Sequence, residues 1–182
     1  MAKLSQYVAF MRGLNLGRRR LSMDQLRGYF EELGYDAVET YIASGNVIFQ
    51  TAKKSDAKLA SEIADHLQHS LGYEVDTFVR TAAEVRQIAS AEIFPQQSED
   101  GWSMHVSFLA KALAPKTVKA LETIETDEDL FRVVGREIFW LRYGKMSDSE
   151  VWNLPEMKAL KLPSSTMRNM NTVRKLSAKY LA

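Results

Sequence analysis

The 182-residue chain contains no cysteine. Disulfides, thiolate nucleophiles and cysteine-ligated metal sites are excluded together, and stability must come from packing. Histidine is nearly as scarce, with three copies. His66 and His69 fall on one helical face and His105 opens an apolar run. A metal site would need a carboxylate partner that the sequence does not place, and the helix pair reads as a solvated face, so no metal and no other cofactor is expected. No apolar run approaches the roughly 20 residues that cross a bilayer. Met1 to Gln6 also lack the apolar stretch of a secretory leader, so the expectation is a cytoplasmic protein without a membrane partner. Motifs that announce chemistry are missing too: there is no G-x-x-x-x-G-K, no G-x-G-x-x-G, no Ser-His-Asp set and no paired carboxylates at helical spacing.

What is present is an ordinary globular composition, 46% hydrophobic and 26% charged, which argues for a folded chain rather than a disordered one. The length suits one compact domain or two small subdomains. Net charge is only +1, but it is unevenly spread: residues 1–20 carry five Lys/Arg and no acid, and residues 142–182 carry eight Lys/Arg against three acids. Each end is therefore +5 and the stretch between them −9. Basic ends that met in space would attract phosphates or carboxylates.

Tyr7 to Arg12 reads as a buried strand ended by Gly13. Ser22 then caps a helix whose Met23, Leu26, Phe30 and Leu33 share a face. Val38 to Ile42 and Val47 to Gln50 make a hairpin across Ala43-Ser44-Gly45-Asn46. A second helix is capped at Ser55 or Asp56, with Leu59, Ile63, Leu67 and Leu71 inward and Gly72 after it. Tyr73 to Arg80 alternates as a fourth strand. That order, βαββαβ, is the ferredoxin-like arrangement of helices on one face of an antiparallel sheet. Thr81 to Glu84 forms a capping box for a linking helix. Beyond it come a strand at His105 to Leu109, a helix from Pro115, strands at Leu130 to Val134 and Glu137 to Arg142, a helical region from Ser149 to Leu160, and a last helix capped by Asn171. The pattern around Val8-Ala9-Phe10 and Val47-Ile48-Phe49 resembles that around Val106-Ser107-Phe108 and Ile138-Phe139-Trp140, as a worn duplication would. The expected divisions are 1–80, a linking helix and loop at 81–102, and 103–182.

Three constellations can carry chemistry. Arg12, Gly13, Asn15, Gly17 and Arg18 to Arg20 lie on the first strand-to-helix loop, where freed backbone N–H groups and guanidinium forks suit anion oxygens. A tight turn with solubilising arginines is the plainer account. Ser44, Gly45 and Asn46 are explained by the turn itself, but the Asn46 amide can both donate and accept toward a ligand. The tract Thr166-Met167-Arg168-Asn169-Met170-Asn171-Thr172-Val173-Arg174-Lys175 sets donors and cations at a helix start, where unpaired N–H groups favour anions. Tyr7 or Phe78, if exposed on the sheet, could stack bases.

The segments Arg12-Gly13-Leu14-Asn15-Leu16-Gly17, Thr40-Tyr41-Ile42-Ala43-Ser44-Gly45-Asn46-Val47-Ile48-Phe49 and Thr166-Met167-Arg168-Asn169-Met170-Asn171-Thr172-Val173, in this order, resemble the bacterial family called domain of unknown function 1697. The resemblance spans nearly the whole chain and implies an α+β protein of two ferredoxin-like subdomains with a C-terminal helix; it brings no activity with it. Arg18 stands where that family usually has a second glycine and Met170 where tryptophan is frequent. The expectation is a protein that binds a small phosphate-bearing anion through Arg12, Asn15, Asn46, Arg168, Asn169, Asn171 and Thr172. A phosphatase-like enzyme is the first alternative and nucleic-acid binding the second.

Overall fold

A computed structural model of the chain describes residues 1–42 and 45–181. The fold is α+β, with two four-stranded antiparallel sheets. The chain divides into two compact units, one formed by residues 1–88 with the last residues from Lys175 onward, the other by residues 89–174.

The first unit runs β1 (Ser5–Met11), α1 (Met23–Glu32), β2 (Asp36–Thr40), β3 (Asn46–Thr51), α2 (Asp56–Leu71), β4 (Thr77–Thr81) and α3 (Ala82–Ala89), with sheet order β2-β3-β1-β4. Its helices begin where the sequence places caps. Ser22 and Gln25 make a reciprocal capping box on α1, and the Ser55 hydroxyl accepts from the Lys58 N–H at the start of α2. Thr81 and Glu84 make the expected box on α3. On one face of the sheet Tyr7, Ala9, Met11, Val47, Phe49 and Val79 pack with Leu26, Phe30, Leu59, Ile63 and Leu67. Phe49 centres this cluster, stacked 4.6 Å from Tyr35 and meeting Phe30 edge-on at 5.6 Å. The opposite pleat, Val8, Phe10, Ile48 and Phe78, is buried as well. Tyr7 and Phe78 are thus 2% and 4% exposed, and neither ring lies open for base stacking.

The second unit runs β5 (Trp102–Leu109), α4 (Pro115–Glu122), β6 (Asp129–Val134), β7 (Glu137–Tyr143), α5 (Pro155–Ala159), β8 (Ser165–Asn169) and into α6 (Met170–Tyr180), with order β6-β7-β5-β8. Strand β8 is the element the sequence reading lacks. Its period-two pattern is inverted in polarity: Thr166 and Arg168 are the buried positions. Hydropathy alternation therefore hides it, and the pairing Val106↔Arg168 and Ser107↔Met167 reveals it. Because the strand extends to Asn169, the last helix starts at Met170. The cap is Asn169, whose Oδ1 accepts from the Asn171 N–H at 2.8 Å, and not Asn171 as expected.

The registers of the two sheets correspond pair for pair. Setting Val8 on Val106 matches Val8↔Ile48 with Val106↔Phe139, Ala9↔Val47 with Ser107↔Ile138, and Val8↔Arg80 with Val106↔Arg168. In both units the fourth strand passes directly into a helix capped by the strand's last residue, Thr81 or Asn169. Even the folding-back of the arginine is shared: Arg80 Nη1 donates to Val79 O at 3.0 Å and Arg168 Nη1 to Met167 O at 2.9 Å. Both units therefore follow one βαββαβα order with matching registers.

The second unit is tied together by Asp129, which is 3% exposed. Its Oδ1 accepts from Trp140 Nε1 at 2.9 Å and from the Ser149 hydroxyl at 2.8 Å. Its Oδ2 accepts from Arg142 Nη1 and from the Thr126 hydroxyl, both at 2.9 Å. One carboxylate thereby joins β6, β7 and the segments flanking them. Replacing Asp129 with alanine leaves the Arg142 charge buried without this partner and strands an indole N–H. Loss of one partner of a buried pair typically destabilises by about 3–5 kcal/mol. Urea unfolding of Asp129→Ala should show a loss of that order; a change under about 1 kcal/mol would mean the network is not what holds these strands.

Candidate functional site

Residues 12–22 leave β1 and return to α1 as a loop anchored from below by Leu14 and Leu21, which are 3% and 6% exposed. Gly13 and Gly17 take φ of +75° and +58°, the left-handed turns that reverse the chain. The Asn15 side chain cinches the loop, its Oδ1 accepting from the Leu21 N–H at 2.8 Å. The Tyr73 hydroxyl donates to Leu14 O at 3.2 Å. The Arg12 N–H donates to Asp76 O at 2.9 Å, and its side chain is exposed.

The arginines of this loop are held in place by it. The Arg19 guanidinium lies 4.0 Å over the Tyr73 ring, a cation–π contact that fixes the group while leaving charge at the surface. Arg20 Nη1 donates to the carbonyls of Gly17 and Arg19, each at 2.8 Å. Arg18 is exposed. Gly45, just before β3, is tied to the end of β1, since the Met11 N–H donates to Gly45 O at 2.9 Å. Gly45 cannot be replaced without movement: its φ is +85°, and a Cβ there would lie 2.8 Å from Leu14 Cδ1. Asn46 is fully buried, its amide donating to Tyr41 O at 2.9 Å while the Tyr41 N–H donates to Asn46 O, so it locks the hairpin's base. Ser44 and Ala43 fall outside the described residues.

The other candidate residues belong to the second unit. Arg168, 7% exposed, donates from Nη1 to the Thr166 hydroxyl at 2.6 Å as well as to Met167 O, and burial pushes its pKa down to about 10. Asn169 is the exposed cap of α6. Asn171, also exposed, accepts from Arg174 Nη1 at 3.3 Å, and Thr172 is half-buried. The seven candidates thus form two groups: Arg12, Asn15 and Asn46 in the first unit, Arg168 to Thr172 in the second.

The sequence does not single out Tyr73 or Asp129, because each acquires its role from partners elsewhere along the chain, nor Arg80, whose burial only the fold decides. It also presents His105 only as a strand opener. His105 is 6% exposed, sits 5.3 Å from the Trp140 ring, and has its Nδ1 buried without a hydrogen-bond partner. Burial lowers its pKa below the usual value.

The architecture defines the class: an α+β protein built of two ferredoxin-like units in tandem. More particularly, the chain belongs to the family described as a protein of unknown function, DUF1697, whose model matches residues 4–139. The match takes in the glycine-arginine loop and the hairpin and ends before the Arg168 tract. Among solved structures, the chain is similar to the conserved bacterial protein SP0830 from Streptococcus pneumoniae, with a TM-score of 0.74 and 23% identity over 97% of this chain and 98% of that one. No curated protein matches it.

The His105 environment generates a pH prediction. With the folded pKa lowered, the unfolded chain takes up a proton near pH 6.5 that the folded chain refuses, so stability is retained above that pH and lost as pH falls below it. His105→Phe should remove that component, flattening the pH slope of urea stability between pH 7.5 and 5 by at most about 1.4 kcal/mol per unit. His66 and His69 are common to both proteins and cancel in the difference; parallel slopes would rule the effect out.

Proposed function

We propose that the chain binds a small phosphate-bearing anion at the end of the first unit where the β1–α1 loop meets the β2–β3 hairpin. The supporting observation is an internal comparison that the duplicated fold provides. Between β5 and α4 the second unit makes the same strand-to-helix connection with the five residues 110–114, whereas the first unit uses the eleven residues 12–22. Likewise β6 and β7 turn in the two residues 135–136, while β2 and β3 are joined by the five residues 41–45. The architecture closes without the additional residues, so their composition is free to serve binding. That composition is four arginines, two glycines and no acid in residues 12–22.

In this reading Arg12, Arg18 and Arg19 supply charge-assisted bonds to the anion, and Asn15 and Asn46 hold the two loops in shape. Arg168, Asn169, Asn171 and Thr172 form the weaker candidate, because Arg168 turns back onto its strand and Asn169 and Asn171 serve the helix turn they begin. A fixed guanidinium costs less ordering on binding than a free one, which favours Arg19 over an untethered lysine.

A thermal-shift panel of inorganic phosphate and phosphate monoesters tests this. Melting temperature should rise with the logarithm of ligand concentration, as for any ligand that binds only the folded state. Arg18→Ala, at an exposed position, should raise the apparent Kd about tenfold or more, corresponding to loss of roughly 1.5–3 kcal/mol from one charged hydrogen-bonding partner. A panel without any shift, or shifts identical in the variant, refutes the assignment.

A further inference from the structure

The two enlarged loops also display the first unit's two exposed aliphatic side chains at this end: Leu16, 63% exposed, and Ile42, 49% exposed. One comes from each loop, and the loops are in contact where the Leu14 side chain packs against Gly45, beside the Met11 N–H to Gly45 O bond that ties Gly45 to the end of β1. Ile42 is held at φ +51°, a conformation that β-branched residues avoid, so the backbone bears strain while its side chain projects into solvent. Every charged residue in the segments 12–22 and 41–45 is an arginine, giving +4 beside two aliphatic groups.

We infer that Arg12, Arg18 and Arg19 with Leu16 and Ile42 form a docking surface for an anionic, phosphate-bearing lipid membrane, the arginines meeting headgroup phosphates while the two aliphatic side chains enter the acyl boundary. The inference rests on the phosphate reading above and names the source of the phosphate. Charge complementarity sets the sign of the surface, and the apolar pair selects the partner. Aliphatic side chains favour an acyl interface, whereas stacking on bases calls for open aromatic rings, and the rings here are engaged: Tyr73 is covered by Arg19, and Tyr41 is half-buried with Tyr180 edge-on at 5.9 Å. Such a contact lies on the bilayer and needs no spanning segment.

Cosedimentation of the full chain with vesicles of phosphatidylglycerol, against vesicles of phosphatidylcholine, tests it. Binding should be at least tenfold tighter to the anionic vesicles and fall steeply with added salt. Leu16→Ser with Ile42→Asn should weaken that binding about tenfold yet leave the thermal shift with inorganic phosphate unchanged; Leu16→Ser alone carries the test if the double variant fails to fold. No binding to either vesicle, equal binding to both, or full binding by the aliphatic variants overturns the inference. An oligonucleotide bound more tightly than the anionic vesicles also overturns it. A phosphate shift without vesicle binding defeats this inference and leaves the phosphate reading standing, whereas absence of both defeats the two together.

Discussion

Burial of both faces of the inner strands is the constraint from which most of the structure follows. In β1 the two pleats, Tyr7-Ala9-Met11 and Val8-Phe10, are all removed from water, and in β5 so are Met104-Val106-Phe108 and His105-Ser107-Leu109. A strand in that position can accept a polar residue only where its groups find partners, because an unmatched charge in an apolar interior is expensive. Two buried arginines obey this by turning back onto the strand: Arg80 and Arg168 each donate to the carbonyl of the preceding residue. Asp129 obeys it by accepting four hydrogen bonds, filling the capacity of both oxygens. Among the described strand residues His105 Nδ1 is the exception, and burial lowers the His105 pKa.

The edge strand β6 shows the same economy of partners. Its Val133 N–H donates to Glu122 Oε1 at 2.9 Å, and its Phe131 O accepts from Arg132 Nη1 at 2.7 Å. Side chains thus occupy backbone groups that would otherwise be open to another strand, a means of protecting an exposed edge. Arg132 also reaches Glu125 at 3.2 Å and lies over the Phe94 ring, so the cation that shields the edge is itself anchored.

Duplication separates what the fold requires from what it merely permits. Residues that correspond between the units, Val8 with Val106 or Thr81 with Asn169, do equivalent structural work in both. Residues 12–22 and 41–45 have only shorter counterparts, and there the chain gathers arginine, glycine and exposed aliphatics. Rigid strands beneath loops of free composition are the usual seat of binding, since the scaffold tolerates change in the loop without loss of core.

Much of the architecture is legible in the sequence because it rests on local rules. Apolar periodicity locates α1 and α2, capping residues mark Ser22, Ser55 and Thr81, and the V-A-F and V-S-F runs disclose two similar halves. Strand β8 escapes those rules because its inward residues are polar, so periodicity reads the tract as a polar approach to a helix. The asparagines are ambiguous in the sequence for a related reason. An amide that caps a loop or locks a hairpin has the same composition as one that meets a ligand, and only its partner, Leu21 N–H for Asn15 or Tyr41 O for Asn46, distinguishes the two. Local chemistry, in short range along the chain, determined where helices begin, where turns form and that arginine collects in one loop. The tertiary structure alone decided which polar groups are buried and with whom, because hydrogen bonding and desolvation depend on neighbours that the linear order does not specify.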